Sequence, residues 1–86
     1  SEAYFFRSAT GDEIDLLLKL PQRSKPWAIE IKRGLAPHLE HGFHLACQVV
    51  GPEQRFVVYS GKERFPLANG VEAVSLADLC HELDTM

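Results

Sequence analysis

Asp15, Glu30 and Lys32 are the residues of this chain whose types and spacing suit chemistry. Each sits inside an otherwise apolar run, Asp15 within Ile14–Leu18 and the other two within Trp27–Lys32. Burying a charge in such a run is costly unless it is paired or binds an ion. Side chains alternate across a strand, so Glu13, Asp15 and Leu17 are expected on one face and Ile14, Leu16 and Leu18 on the other. In the second run Ala28, Glu30 and Lys32 share a face, while Trp27, Ile29 and Ile31 point the other way. If the two runs pair as strands, a one-residue slip would bury the charges in the core, so burial selects the register that gathers them. Hard oxygen ligands from Asp15 and Glu30, with Glu13 as a further candidate, suit Mg²⁺ or Mn²⁺, which acidifies a water and polarises a phosphoryl oxygen. Lys32 then orients the attacking water or stabilises negative charge in the transition state. That set points to metal-assisted phosphodiester hydrolysis.

These residues need a scaffold, and the sequence supplies its outline. Residues 3–8 and 13–20 read as two strands joined at Thr10-Gly11-Asp12, a segment with turn chemistry. A polar, proline-bounded loop over 21–26 leads to a third strand at 27–33. Leu39, Phe43, Ala46 and Val50 recur at helical spacing, which predicts a helix over 37–50 that opens on Pro37 and stops at Gly51-Pro52. A strand at 55–60 follows, and a strand–helix–strand run of this length predicts that it lies parallel to the third strand. Residues 65–67 and 71–74 flank Asn69-Gly70 and predict a small hairpin or a last edge strand. Ser75 with Asp78 three residues on resembles a capping box opening a final helix, with Leu76, Leu79, Cys80 and Leu83 on one face. The expected order is β-β-β-α-β-β-α, an α/β sandwich of two or three layers around a mixed sheet.

The ordered set Gly11-Asp12-Glu13-Ile14-Asp15, variable loop, Ala28-Ile29-Glu30-Ile31-Lys32 resembles the core motif of the PD-(D/E)xK phosphodiesterase superfamily. More narrowly, Tyr4-Phe5-Phe6-Arg7, the two acidic segments and the closing Val74-Ser75-Leu76 resemble a domain of unknown function found C-terminal to the core of bacterial and archaeal AAA-superfamily ATPases. The resemblance runs from Tyr4 to Leu83. It implies a restriction-endonuclease-like fold with Asp15, Glu30 and Lys32 in the catalytic positions and a Mg²⁺- or Mn²⁺-dependent cleavage of DNA. It also implies that residues 1–86 are one domain excised from the C-terminal part of a longer prokaryotic ATPase, whose N-terminal domain is its partner. There is no Walker sequence here, so ATP belongs to that missing part. Two departures stand out. The superfamily usually adds an acidic residue from an N-terminal helix, which is not seen in this chain, and Gln48 is followed by Pro52 where exonuclease branches carry a tyrosine.

Composition narrows the function further. The 86 residues, 45% of them hydrophobic, suffice for one small domain. A net charge of −3 and scattered basic residues argue against a self-sufficient nucleic-acid binder, so affinity for DNA would come from a larger assembly. Cys47 and Cys80, without CxxC spacing, read as reduced core thiols of a cytoplasmic protein, and no run approaches a membrane span. His38, His41 and His44 are spaced by three. They read as a titratable helix face, because a zinc site needs further ligands. Phe5, Phe6 and Trp27 read as core or interface residues ahead of base-stacking platforms. The competing function is a catalytically silent interaction or regulatory module of the ATPase, favoured by the acidic balance and the missing acidic helix.

Overall fold

The computed structural model describes residues 2–85 and contains six strands and two α-helices. The strands are β1 (Glu2–Arg7), β2 (Glu13–Lys19), β3 (Trp27–Ile31), β4 (Gln54–Val58), β5 (Phe65–Pro66) and β6 (Val71–Val74); the helices are α1 (His41–Val50) and α2 (Leu76–Asp84). They form one mixed sheet in the order β1-β2-β3-β4-β6-β5. The first three strands are an antiparallel meander, β3, β4 and β6 run parallel, and β5 returns antiparallel to β6. The expected parallel pairing of the strands flanking α1 is therefore present. The expected element order was one strand short, because the segments around Asn69-Gly70 form a real hairpin. Asn69 (φ 61°) and Gly70 (φ 74°) supply its left-handed turn, and Arg64 ties it down through Glu72 and Glu82.

Each face of the sheet carries one helix, giving three layers. On one face Phe43, Ala46 and Cys47 of α1 pack with Leu17, Ala28, Val57, Val71 and Ala73. On the other, Leu79 of α2 packs with Trp27, Ile29, Phe56, Val58 and Val74. The strict alternation of β3, β4 and β6 feeds both cores at once, as a sheet covered on both sides requires.

Local chemistry sets the helix ends. Ser75 caps α2, its hydroxyl accepting from the Asp78 N–H at 3.0 Å, as its position predicts. Gly51, at φ 66°, closes α1 with its N–H on the Cys47 carbonyl. Helix α1 starts at His41, four residues later than Pro37 suggests. The chain must first climb from the sheet to the helical layer, and Glu40 enters the helix in an extended conformation (ψ 152°) with Leu39 half-buried on the core. His38 thus lies outside the helix. The apolar face of α2 is narrower than its spacing suggests: Leu79 is buried and Leu83 packs beside it, but Leu76 and Cys80 are exposed. Of the two thiols, only Cys47 is in the core.

The loop after β4 wraps around one ring. Tyr59 is buried, and its hydroxyl donates to the Glu63 carbonyl at 2.6 Å. A Cβ on Gly61 would lie 2.3 Å from Tyr59 Cε2. Because the anchored ring cannot swing away, Gly61→Ala is expected to cost roughly 1–3 kcal/mol, the usual range for overpacking, measured by urea denaturation.

Candidate functional site

The site is built where β2 enters and β3 leaves the sheet. Leu18, Leu17 and Leu16 of β2 stand opposite Trp27, Ala28 and Ile29 of β3, so Asp15 and Glu30 come next along the two strands. This is the register that gathers the two acids, but the face it gathers them on is the one α1 covers, so Glu30 is buried instead of being kept out of the core. Glu30 stands opposite Val57 of β4, which places it on the α1 face of the sheet. The Asp15 carboxylate reaches β3 directly, its Oδ2 accepting the Ile31 N–H at 2.9 Å. Lys32 Nζ lies 3.9 Å from Glu30 Oε2, a Coulombic contact too long for a hydrogen bond.

A β-bulge shapes this corner. Between Tyr4↔Leu17 and Phe6↔Ile14, the single residue Phe5 faces both Asp15 and Leu16, so β2 carries one residue extra. The bulge overturns the simple alternation expected for β2. Ile14 joins Leu17 in the α1-side core instead of sharing a face with Leu16 and Leu18. Glu13 is turned to the opposite face from Glu30. There it forms a 2.7 Å ion pair with Arg7, both side chains well exposed, and is not brought to Asp15 and Glu30. Among the described residues, no three His, Cys, Asp or Glu side chains are grouped to hold a metal ion. Two carboxylates and a lysine converge, and the third acid stays outside.

Glu30 is the unusual member. It is 9% exposed, and its Oε1 is buried with no hydrogen-bond partner. Burial, and after it the charge of Asp15, push its carboxyl up to about 7 from an ordinary 4.5, against the pull of Lys32. A carboxylic acid titrating near neutrality beside a second carboxylate can hold a proton or exchange it for a cation. Above it, Cys47 of α1 is pushed up to about 11, chiefly by burial, with the Glu30 charge adding to the effect.

Ser60 does not stand out in the sequence. Its N–H donates to the Gly34 carbonyl at 3.0 Å and its hydroxyl to the Arg33 carbonyl, while the Lys32 N–H donates to Val58 O at 2.8 Å. These bonds fix the backbone on both sides of Lys32 beyond the end of β3. A Ser-Gly pair closing a strand was the only signal, and it marks many ordinary turns.

The other chemistry-bearing residues are placed elsewhere. Trp27 is core, tilted on Phe56, with its indole N–H donating to Glu53 at 3.1 Å; Phe6 packs on the α1-side core, but Phe5 is 72% exposed. His38 and His44 line a cleft of about 250 Å³ between α1 and Leu67-Ala68. Burial, more than the nearby His41 and Arg55, holds His44 below its ordinary value. No described helix is long and apolar enough to cross a membrane.

Comparison with known proteins places this geometry in a family. The chain is similar to an uncharacterized protein of Mycobacterium tuberculosis and one of Mycobacterium bovis, each 34% identical over 71 residues, which cover 83% of this chain. It spans 16% of the length of these relatives. No solved structure matches. A family model described as "Domain of unknown function (DUF4143)" matches residues 1–79, and the chain belongs to that family.

Proposed function

We propose that this domain is a nuclease-like phosphodiesterase module of restriction-endonuclease type, dependent on Mg²⁺ or Mn²⁺ and acting on DNA as the appendage of a AAA-type ATPase. One observation carries the reading: a buried carboxylate oxygen of Glu30 without a partner, beside Asp15 and within reach of Lys32. An orphaned buried oxygen in a set of hard donors fits a divalent cation, which supplies Lewis acidity and an acidified water when bound. Asp15 and Glu30 would hold it. The Ile31 N–H fixes the orientation of Asp15, and the bonds of Ser60 and Val58 hold the Lys32 backbone, so that its ammonium can stabilise charge developing on a phosphoryl oxygen. The net charge of −3 leaves most of the DNA affinity to a larger assembly, and the relatives have the length to supply one.

A second reading has its own support. Only two acids converge, since Glu13 is held by Arg7 on the other face. This suits a module that keeps the fold and binds a partner without chemistry.

Titrating Mg²⁺ and Mn²⁺ into the domain and assaying plasmid and single-stranded DNA cleavage separates the two. For the enzyme, Asp15→Ala abolishes cation binding, and Lys32→Ala keeps binding but slows cleavage about a hundredfold, the usual cost of one transition-state donor. No binding and no cleavage, with a fused ATPase portion also tested, leaves the silent module.

A further inference from the structure

The carboxyl ends of β3 and β4 carry cations that the Asp15–Glu30–Lys32 set does not use. Arg33 follows Lys32, and Lys62 lies two residues beyond Ser60 in the turn after β4. Ser60 fastens the two turns together, its N–H on the Gly34 carbonyl and its hydroxyl on the Arg33 carbonyl. Arg33 and Lys62 are both exposed, and among the described residues neither is in an ion pair, whereas Arg7, Arg23 and Arg64 are held by glutamates. Glu63 is the acid beside Lys62 in sequence. Leu35, directly after the fastened turn and three residues past Lys32, is 75% exposed. A single exposed leucine is ordinary. One carried behind two cations on a fastened turn, at the end of the sheet where open α/β folds meet their ligands, is placed to act.

We propose that this rim holds duplex DNA, with Arg33 and Lys62 on phosphates beside the one presented to Lys32 and with Leu35 wedged into the minor groove. It rests on the reading of Asp15, Glu30 and Lys32 as a nuclease site, which gives DNA a reason to lie here. Charge complementarity selects the occupant: two unpaired cations beside a lysine suit a run of phosphates. Lys32, Arg33 and Lys62 neutralise only a few of them, in keeping with a net charge of −3 and an affinity left mostly to a larger assembly. Leu35 decides between duplex and single strand. Aliphatic side chains enter duplexes as wedges between base steps. Unpaired bases are held instead by stacking on aromatic rings. The exposed rings Tyr4 and Phe5 are on β1, which β2 separates from β3, and Tyr59 beside Ser60 is buried.

Fluorescence anisotropy of a short labelled duplex, with EDTA present and salt raised from about 10 to about 100 mM, reads binding without cleavage. Three phosphate contacts give a slope of log affinity against log salt near −2.7, about a 500-fold loss over that range. Arg33→Gln and Lys62→Gln should each make the slope shallower by about 0.9. Leu35→Ala should keep the slope but abolish the brightening of an adenine analogue that fluoresces when unstacked. All three side chains are exposed, so circular dichroism should not change. A slope that neither glutamine variant moves overturns the rim. So does brightening that is absent from the wild type or survives Leu35→Ala, a single strand bound as tightly as the duplex, or no binding at about 10 mM salt. Cleavage in Mg²⁺ without these effects removes the rim and leaves the nuclease; the expected slopes with no cleavage, a fused ATPase portion included, remove the nuclease and leave the rim.

Discussion

Raising the pH from 4.5 to 7 should cost the folded domain about 3 kcal/mol through Glu30, and Glu30→Gln should remove that cost. Glu30 titrates at about 7 when folded against 4.5 ordinarily, because burial and the Asp15 carboxylate disfavour its charged form. Below 4.5 it is protonated in both states and the difference vanishes. Between 4.5 and 7 the folded state keeps a proton that the unfolded chain has released, so stability falls by about 1.4 kcal/mol per pH unit. Above 7 the full penalty is in place. Other groups act in different windows. Glu53, lowered mainly by the Trp27 indole N–H, and Glu72, lowered mainly by Arg64, contribute stability above 4.5 that is lost as pH falls. His44, lowered mainly by burial, favours folding as pH approaches 6.5 from below and so opposes part of the Glu30 effect. The wild-type minus Glu30→Gln difference isolates Glu30. Urea denaturation at pH 5 and pH 8 measures it, and equal differences at the two values would refute the buried carboxyl. The same experiment reports on the cation: if Asp15 and Glu30 bind Mg²⁺, adding it at pH 8 restores wild-type stability and does nothing for Glu30→Gln.

The juxtaposition behind this prediction was legible in the sequence because a short meander pairs the two apolar runs, and the acids follow those runs at matching positions. Pairing Leu16–Leu18 with Trp27–Ile29 sets Asp15 and Glu30 next to each other on one face, although α1 covers that face and Glu30 is buried in it. The caps were legible for a similar reason: Ser75 and Gly51 have local jobs that few residue types perform. The bulge was not legible. It depends on which residue of β1 faces Asp15 and Leu16, a long-range fact that no pattern within β2 records, and it alone sends Glu13 to the wrong face. The exposure of Phe5 and Cys80 was not legible because one sits in an aromatic run and the other on an apolar helix face, and neither pattern says where a neighbouring element stops covering it. The orphaned Glu30 oxygen also lay beyond reach, since it requires knowing that α1 closes over the end of β3.

That closure rests on Phe43, and Phe43→Ala should cost 3–5 kcal/mol, about the upper range for truncating a core aromatic. Phe43 is 1% exposed and is among the largest fully buried side chains. The core it belongs to includes the fully buried Ala28, Ala46 and Ala73 beside the larger Ile14, Leu17, Val57 and Val71. Alanines cannot lean in to fill the space a phenyl ring leaves, and larger neighbours relax only in part, so a cavity should persist. A domain of this size is stable by roughly 4–13 kcal/mol in all, so the variant sits near its unfolding threshold. Phe43→Leu, which keeps most of the volume, should cost much less. Phe5→Ala, at an exposed ring, should cost almost nothing. Urea denaturation of the three variants ranks them, and a Phe43→Ala loss under about 1 kcal/mol would mean that α1 is docked by something else. The site should feel the same change. Glu30 is on the α1 face and its charge reaches Cys47, so loosening α1 admits water to the carboxyl and weakens the burial that raises it. In the Phe43→Ala background, Glu30→Gln should therefore gain less stability at pH 8 than it does in the wild type, a coupling that a double-mutant cycle reads directly.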